Sequence, residues 1–160
     1  FTDGLIIPTD SYLNFEKFVT FDDDNNEIIR SECRKRQLRF DLGDCLVTHG
    51  GNTGYPLISH GIIESGDEII EVMSIGMAIY NSLIDLDGKG CKSVAISPLL
   101  KIDKDMTIPN LDLYLKISIT SVITFIEENN AENISYILIH IPSNFVNHLQ
   151  DVIKDIQNIP

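Results

Sequence analysis

The chain has 160 residues, a length that suits one domain with a full core and is short for two. Its formal charge of −12 argues against passive binding to nucleic acid or anionic lipid, because phosphate backbones are held mostly by Lys and Arg. With 43% apolar residues it is too hydrophobic for a disordered tail, yet no stretch approaches the roughly 18 uninterrupted apolar residues that span a bilayer.

The first predicted element is a short buried strand, Gly4 to Ile7, ending at Pro8. Residues 8–24 read as a long loop. Asn25 to Gln37 predicts a helix with Ile28, Ile29 and Cys33 facing inward. After a turn at Asp41-Leu42-Gly43-Asp44, Cys45 to Thr48 reads as a second strand, and a Gly-rich link from Gly50 to Gly54 leads into a third, Leu57 to Ile62. Asp67 can cap a helix whose apolar stripe runs Ile70, Met73, Met77, Tyr80 and Ile84, with Gly88 as its end. Ser93 to Ser97 makes a fourth strand closed by Pro98. Thr107 can cap a long helix with Pro109 in its first turn and a stripe of Leu111, Leu115, Ile119, Val122 and Ile126. Ile134 to Ile141 is the clearest strand and is expected inside the sheet. A last helix from Asn144 buries Phe145, Leu149, Val152, Ile153 and Ile156. Strands alternating with helices in this way predict a layered α/β fold around a mostly parallel sheet.

Several kinds of chemistry are set aside. Cys33, Cys45 and Cys91 are odd in number and widely spaced, which fits reduced thiols in an intracellular protein better than a disulfide framework or a zinc site. The sequon Asn133-Ile134-Ser135 would be idle in that compartment. Gly88-Lys89-Gly90-Cys91-Lys92-Ser93 leads into a strand, whereas a phosphate cradle follows one and opens a helix, so it is a turn. His49, His60, His140 and His148 are scattered, and His60 and His140 lie in apolar strands where a hydrogen-bonded core histidine is the ordinary outcome. Asp22-Asp23-Asp24-Asn25-Asn26 lacks the spacing of a calcium loop. Arg30, Arg34, Lys35, Arg36 and Arg39 form the one basic cluster, read as a solvated helix face balanced by Asp22, Asp23, Asp24 and Glu27, with a docking patch for phosphate or an acidic partner as the alternative.

Three segments carry a resemblance. Thr2-Asp3-Gly4-Leu5-Ile6-Ile7-Pro8-Thr9-Asp10-Ser11-Tyr12-Leu13 is similar to V-D-A-I-V-N-A-A-N-x-x-L, in its N-P-T-N form. Gly43-Asp44-Cys45-Leu46-Val47-Thr48-His49-Gly50-Gly51-Asn52 is similar to G-x-A-x-V-T-x-G-x-N, and the ungapped run brings His60 onto a strand histidine. Lys92-Ser93-Val94-Ala95-Ile96 is similar to K-S-I-A-F. These are segments of the macro domain, the α/β module that binds ADP-ribose and in some members hydrolyses it from proteins. The resemblance implies a three-layer α/β/α fold with a central mixed, mostly parallel sheet. It also implies a single domain over residues 1–160, expected to be a piece of a larger protein without the family's first strands.

The departures bear on function. Ile7 stands at the motif's first Asn, and Asp10 stands at the second, which in the family positions the distal ribose; Asp10 can accept from a hydroxyl but cannot donate. Asn14-Phe15-Glu16-Lys17-Phe18-Val19 replaces a flexible G-G-G-V loop whose glycines let backbone amides close around a diphosphate. Lys101-Ile102-Asp103-Lys104-Asp105-Met106 replaces S-x-G-I-F-G. A retained pocket would draw on Thr9, Asp10, Ser11, Leu100, Lys101, Lys104 and Asn144, with Asp10, Glu16, Asp103 and Asp105 placing carboxylates where an anion would sit, partly offset by Lys17, Lys101 and Lys104. The expectation is a non-catalytic binding or scaffold module within a larger protein, with no catalytic residue, metal or cofactor. Its partner would be another protein or the rest of its own chain, with nucleic acid disfavoured by the acidic balance and no membrane. The alternatives are a reader of ADP-ribose or a related nucleotide through a rebuilt pocket, and an ADP-ribosyl hydrolase.

Overall fold

The computed structural model of the protein describes residues 1–36, 39–65, 72–100, 108–128 and 131–158, without the side chains of 108–110, 144, 145 and 148. Five strands form one sheet: β1 (Gly4–Asp10), β2 (Cys45–His49), β3 (Leu57–Glu64), β4 (Ser93–Ile96) and β5 (Tyr136–Ile139), in the spatial order β2-β3-β1-β4-β5. All neighbours run parallel except β2, which pairs antiparallel with β3. The central position falls to β1, whose seven residues are all buried. Helix α1 (Asp23–Arg34) packs on one face through Ile29 and Cys33. Helices α2 (Val72–Gly88), α3 (Ile108–Glu127) and α4 (Leu149–Gln157) pack on the other. This is the expected three-layer α/β/α arrangement.

Local departures from expectation have local causes. Strand β1 continues through Pro8 instead of ending at Ile7. Residues alternate across the ladder, so Pro8 faces the β4 side like Ile6, and β4 has already ended at Ile96, where Ser97 N–H bonds Ile6 C=O at 3.0 Å. The N–H that proline lacks therefore costs no ladder bond. Helix α1 starts at Asp23, two residues before the expected Asn25, because Asp22 caps it: the Asp22 carboxylate accepts the Asn25 N–H at 2.9 Å. Ile28 is exposed rather than inward. In α2 the expected stripe is on the wrong face. Met73 is 80% exposed and Met77 50%, while Ile75, Ala78, Ile79, Leu83 and Leu86 are buried. The helix is apolar nearly all round, so spacing could not choose; the sheet chooses through size. A Cβ on Gly61 of β3 would come within 3.0 Å of the Ala78 Cβ, so only the small-residue face can approach this closely. Asp67 and Ile70 lie outside the described residues, as does Thr107.

Helix α3 buries Leu111 and Leu115 as expected, but also Tyr114, Ser118 and Phe125, whereas Ile126 is exposed. The largest correction concerns β5. It occupies the sheet's edge, not its interior, and exposes Tyr136 and Leu138 while Ile137 and Ile139 pack on the α2/α3 core. An unbroken apolar run reads as a strand covered on both faces; here only one face is covered among the described residues. Its start is fixed by Asp87 at the end of α2, a buried carboxylate that accepts the N–H groups of Glu132, Asn133 and Ile134 at 2.8–3.1 Å. The last helix begins at Leu149, after a 3-10 segment over Ser143–His148, and buries Val152 most completely. Among the described residues no helix is long and apolar enough to cross a membrane.

Candidate functional site

Of the residues singled out in the sequence, Thr9, Asp10 and Ser11 lie at the C-terminal end of β1, the end at which parallel α/β sheets place ligand crevices. The β1–β3 register slips there, with Thr9 opposite Ile62 but Asp10 opposite Glu64, and this irregularity sets two carboxylates side by side. Asp10 and Glu64 are both fully buried. Lys17 Nζ lies between them, 2.9 Å from Asp10 Oδ2 and 3.1 Å from Glu64 Oε1, its side chain 36% exposed. Asp10 Oδ1 accepts the N–H groups of Tyr12 and Asn14 at 2.9 Å each, and Oδ2 accepts Asn14 Nδ2 at 3.2 Å. Burial alone would raise the Asp10 carboxyl; the Lys17 ammonium and the amides of Asn14 and Tyr12 outweigh it and hold the group below the usual carboxylate range. The two carboxylates correspondingly raise Lys17.

The loop after β1 is thus folded around Asp10. A 3-10 turn over Phe15–Lys17 follows Leu13, which sits at φ +64°, a backbone region that L side chains seldom occupy. Leu13 is held there by its N–H on Asp10 C=O at 3.0 Å and by burial of its side chain. Phe15 packs into the α1-side core, edge-on to His60 at 5.9 Å, whereas Phe18 belongs to the core beneath α2 and α3. Ser11 is tied to Glu64 C=O through its N–H at 2.9 Å and its hydroxyl at 3.3 Å. Thr9 is fully buried, and its hydroxyl has no partner among the described residues.

The expected site residues therefore fare differently. Thr9, Asp10 and Ser11 come together, but all three are buried. Leu100 is buried in the α2/α3 core on the neighbouring loop. Lys101 and Lys104 lie outside the described residues, as do Asp103, Asp105 and the side chain of Asn144. Of the carboxylates expected to line a cleft, Asp10 is neutralised by Lys17, and Glu16 pairs with Arg30. Sequence reading missed Glu64. Its signal was a charged residue closing the apolar run Ile62-Ile63, a placement that burial makes costly unless a cation answers it.

Several other reactive groups are buried or paired. His60 is buried, within 2.8 Å of Thr48 Oγ1, and burial pulls it down to about pH 4, so it is neutral at pH 7. Burial pushes the Cys33 thiol up to about 11 and, with Asp85 beside it, the Cys45 thiol up to about 12, far from nucleophilic. The basic cluster is largely paired: Arg30 with Glu16 and Glu27, Arg34 with Glu27, Lys35 with Glu32. Its balancing acids are glutamates around α1, and Asp22 serves as the cap. Among the described residues no group of three His, Cys, Asp or Glu side chains could hold a metal ion.

The layers and the single antiparallel strand define a three-layer α/β/α domain. Known structures make the class specific. The macro domain of ganglioside induced differentiation associated protein 2 superposes with a TM-score of 0.71 over 95% of this chain and 76% of its own, at 15% identity. The Oceanobacillus iheyensis macrodomain with MES bound gives 0.71 over 99% and 87%, also at 15% identity. The Trypanosoma brucei macrodomain in complex with ADP gives 0.67 over 95% and 63%, at 12% identity. No sequence-family profile and no curated protein sequence matches the chain. The chain has the macrodomain fold and is a divergent example of it.

Proposed function

We propose that this domain is a non-catalytic binding or scaffold module in which the loop after β1, a ligand cradle in the family it resembles, has become part of the folded core. The observation that carries this reading is Asp10. The carboxylate at the position of the ribose-orienting Asn is fully buried and turned inward onto Tyr12, Asn14 and Lys17. A group acting on a ribose must reach it within hydrogen-bond distance, and among the described residues the partners of the Asp10 carboxylate belong to its own loop. Phe15 and Phe18 anchor the same loop in both cores, which opposes the backbone movement that amide closure around a diphosphate requires. The partner would then be a protein surface or another part of its own chain.

A second reading, a reader of ADP-ribose or a related nucleotide, draws support from the Trypanosoma brucei and Oceanobacillus iheyensis macrodomains, both of which were solved with ADP. Under it Lys17, the partly exposed member of the trio, would supply the phosphate contact together with Lys101 and Lys104. Hydrolysis asks more, since it needs an oriented water as well as a held diphosphate. Incubation with a mono-ADP-ribosylated protein tests the non-catalytic reading. The label should stay on the protein over hours at micromolar concentrations of the chain; release that depends on the chain would make it a hydrolase.

A further inference from the structure

Strand β2 forms one edge of the sheet, and its last residues lie at the far end from Asp10: His49 stands opposite Leu57, which stands opposite Gly4 at the start of β1. Among the described residues no strand pairs with its outer rim. Asp44 C=O accepts the Ile62 N–H at 2.9 Å, and the Gly50 N–H bonds Pro56 C=O at 3.1 Å. The even-numbered residues between them therefore turn their backbone groups to β3, and Val47 and His49 direct N–H and C=O outward. The strand, Cys-Leu-Val-Thr-His, has none of the proline, lysine or carboxylate residues that usually blunt an exposed edge. A groove of about 340 Å³ lies along this rim, lined by Glu32, Lys35 and Arg36 of the α1 end, Val47 and His49, and Lys89 after α2. Three cations there face one carboxylate, in a chain of net charge −12. Lys35 bonds Glu32 at 2.7 Å, and Asp85, one turn before Lys89, accepts the Cys45 thiol at 3.3 Å. Arg36, His49 and Lys89 are exposed and have no side-chain partner among the described residues.

We infer that this rim takes an extended, acidic segment of a partner protein as an added strand. Two features of the groove select that occupant. Its outward backbone offers donors and acceptors in alternation, and a bare anion has no donor to give the C=O groups of Val47 and His49, whereas a peptide backbone answers both. Its unpaired charge is positive, so the segment's side chains are carboxylates. Successive side chains of a strand point to opposite faces. One face of the added strand meets Lys35 and Arg36 and the other meets Lys89, so the preferred segment carries acidic residues in adjacent positions. The basic cluster beyond α1, singled out in the sequence, thereby contributes Lys35 and Arg36 to a surface that Lys89 completes from the end of α2. The inference rests on the reading of the domain as a binding module and names the partner's chemistry. The groove is separate from the β1 loop, so a peptide and ADP-ribose test different surfaces.

Fluorescence anisotropy with a labelled peptide of about ten residues, built from Val-Glu-Glu repeats, tests this on the full chain. It should bind with a dissociation constant on the order of 10–100 µM, and the matching Val-Gln-Gln peptide at least tenfold more weakly. Arg36→Glu and Lys89→Glu should each weaken the acidic peptide at least fivefold with the melting temperature unchanged. Lys154→Glu, the same charge change on α4, should leave binding within about twofold, since its effect is only the screened long-range field. A Val-Glu-Glu peptide N-methylated along its length should not bind, because it keeps the charges and loses the strand's N–H groups. ADP-ribose at millimolar concentration should leave the peptide bound. No binding of the acidic peptide up to about 1 mM would overturn the inference and leave the account of the β1 loop standing. Equal binding of the Gln or N-methylated peptide would also overturn it, as would indifference to Arg36→Glu and Lys89→Glu. Displacement by ADP-ribose would assign the groove to a nucleotide instead.

Discussion

Asp10 and His60 show how one side chain can decide between a site and a scaffold. Asp10 receives three N–H bonds and a lysine from its own loop, so its removal should be felt in stability. Asp10→Ala should cost about 2–4 kcal/mol in denaturant melts, since it strips the loop of its hub and leaves Lys17 and Glu64 to rearrange. A loss well under 1 kcal/mol would mean that the carboxylate is free for another task. His60 predicts a pH dependence. The unfolded imidazole takes its proton near pH 6.5, but the folded one resists until about pH 4. The unfolded state therefore binds more protons between those values, and stability must fall as pH drops from 6.5 to 4, by about 3 kcal/mol in all. Asp10, whose pKa is lowered by folding, adds a loss only below its unfolded value of 3.8. His60→Gln should flatten the slope between pH 6.5 and 4 in thermal melts; an unchanged slope would assign it to other groups.

At the level of elements, what spacing could and could not reveal follows from how many faces of a segment are apolar. Strands β2, β3 and β4 lie close to their expected bounds because turn residues bracket them: Asp44 before β2, the Gly50–Gly54 link before β3, Pro98 after β4. Helix α2 has apolar residues on every side, so its pattern could not say which face meets the sheet; the Gly61–Ala78 contact that decides it joins residues far apart in sequence. The same limit hid the edge position of β5, because an edge is a property of pairing order and not of composition. Leu83→Ala should cost about 2–5 kcal/mol, as for a core leucine, whereas Met73→Ala should stay within about 0.5 kcal/mol. Comparable losses from the two, measured by urea unfolding, would restore the spacing-based face. The site was half legible. The positions of Asp10, Glu16 and Lys17 along the loop were evident, but not the pairing of buried Asp10 with Glu64 through Lys17, which a register shift brings into place.

For the molecule as a whole, fold and site point in different directions. The sheet order and layering are those of macrodomains at TM-scores of 0.67–0.71, yet identities of 12–15% leave the loops free to have changed purpose. Function resides in the site a fold carries and not in the fold. The central claim is that the loop at the end of β1 has been given over to structure, and calorimetric titration of the chain with ADP-ribose tests it most directly. The account predicts no measurable heat of binding up to about millimolar ligand. Saturable binding at low micromolar concentration, abolished by Lys17→Ala or by replacing Lys101 and Lys104, would contradict it and establish a nucleotide reader with a rebuilt pocket.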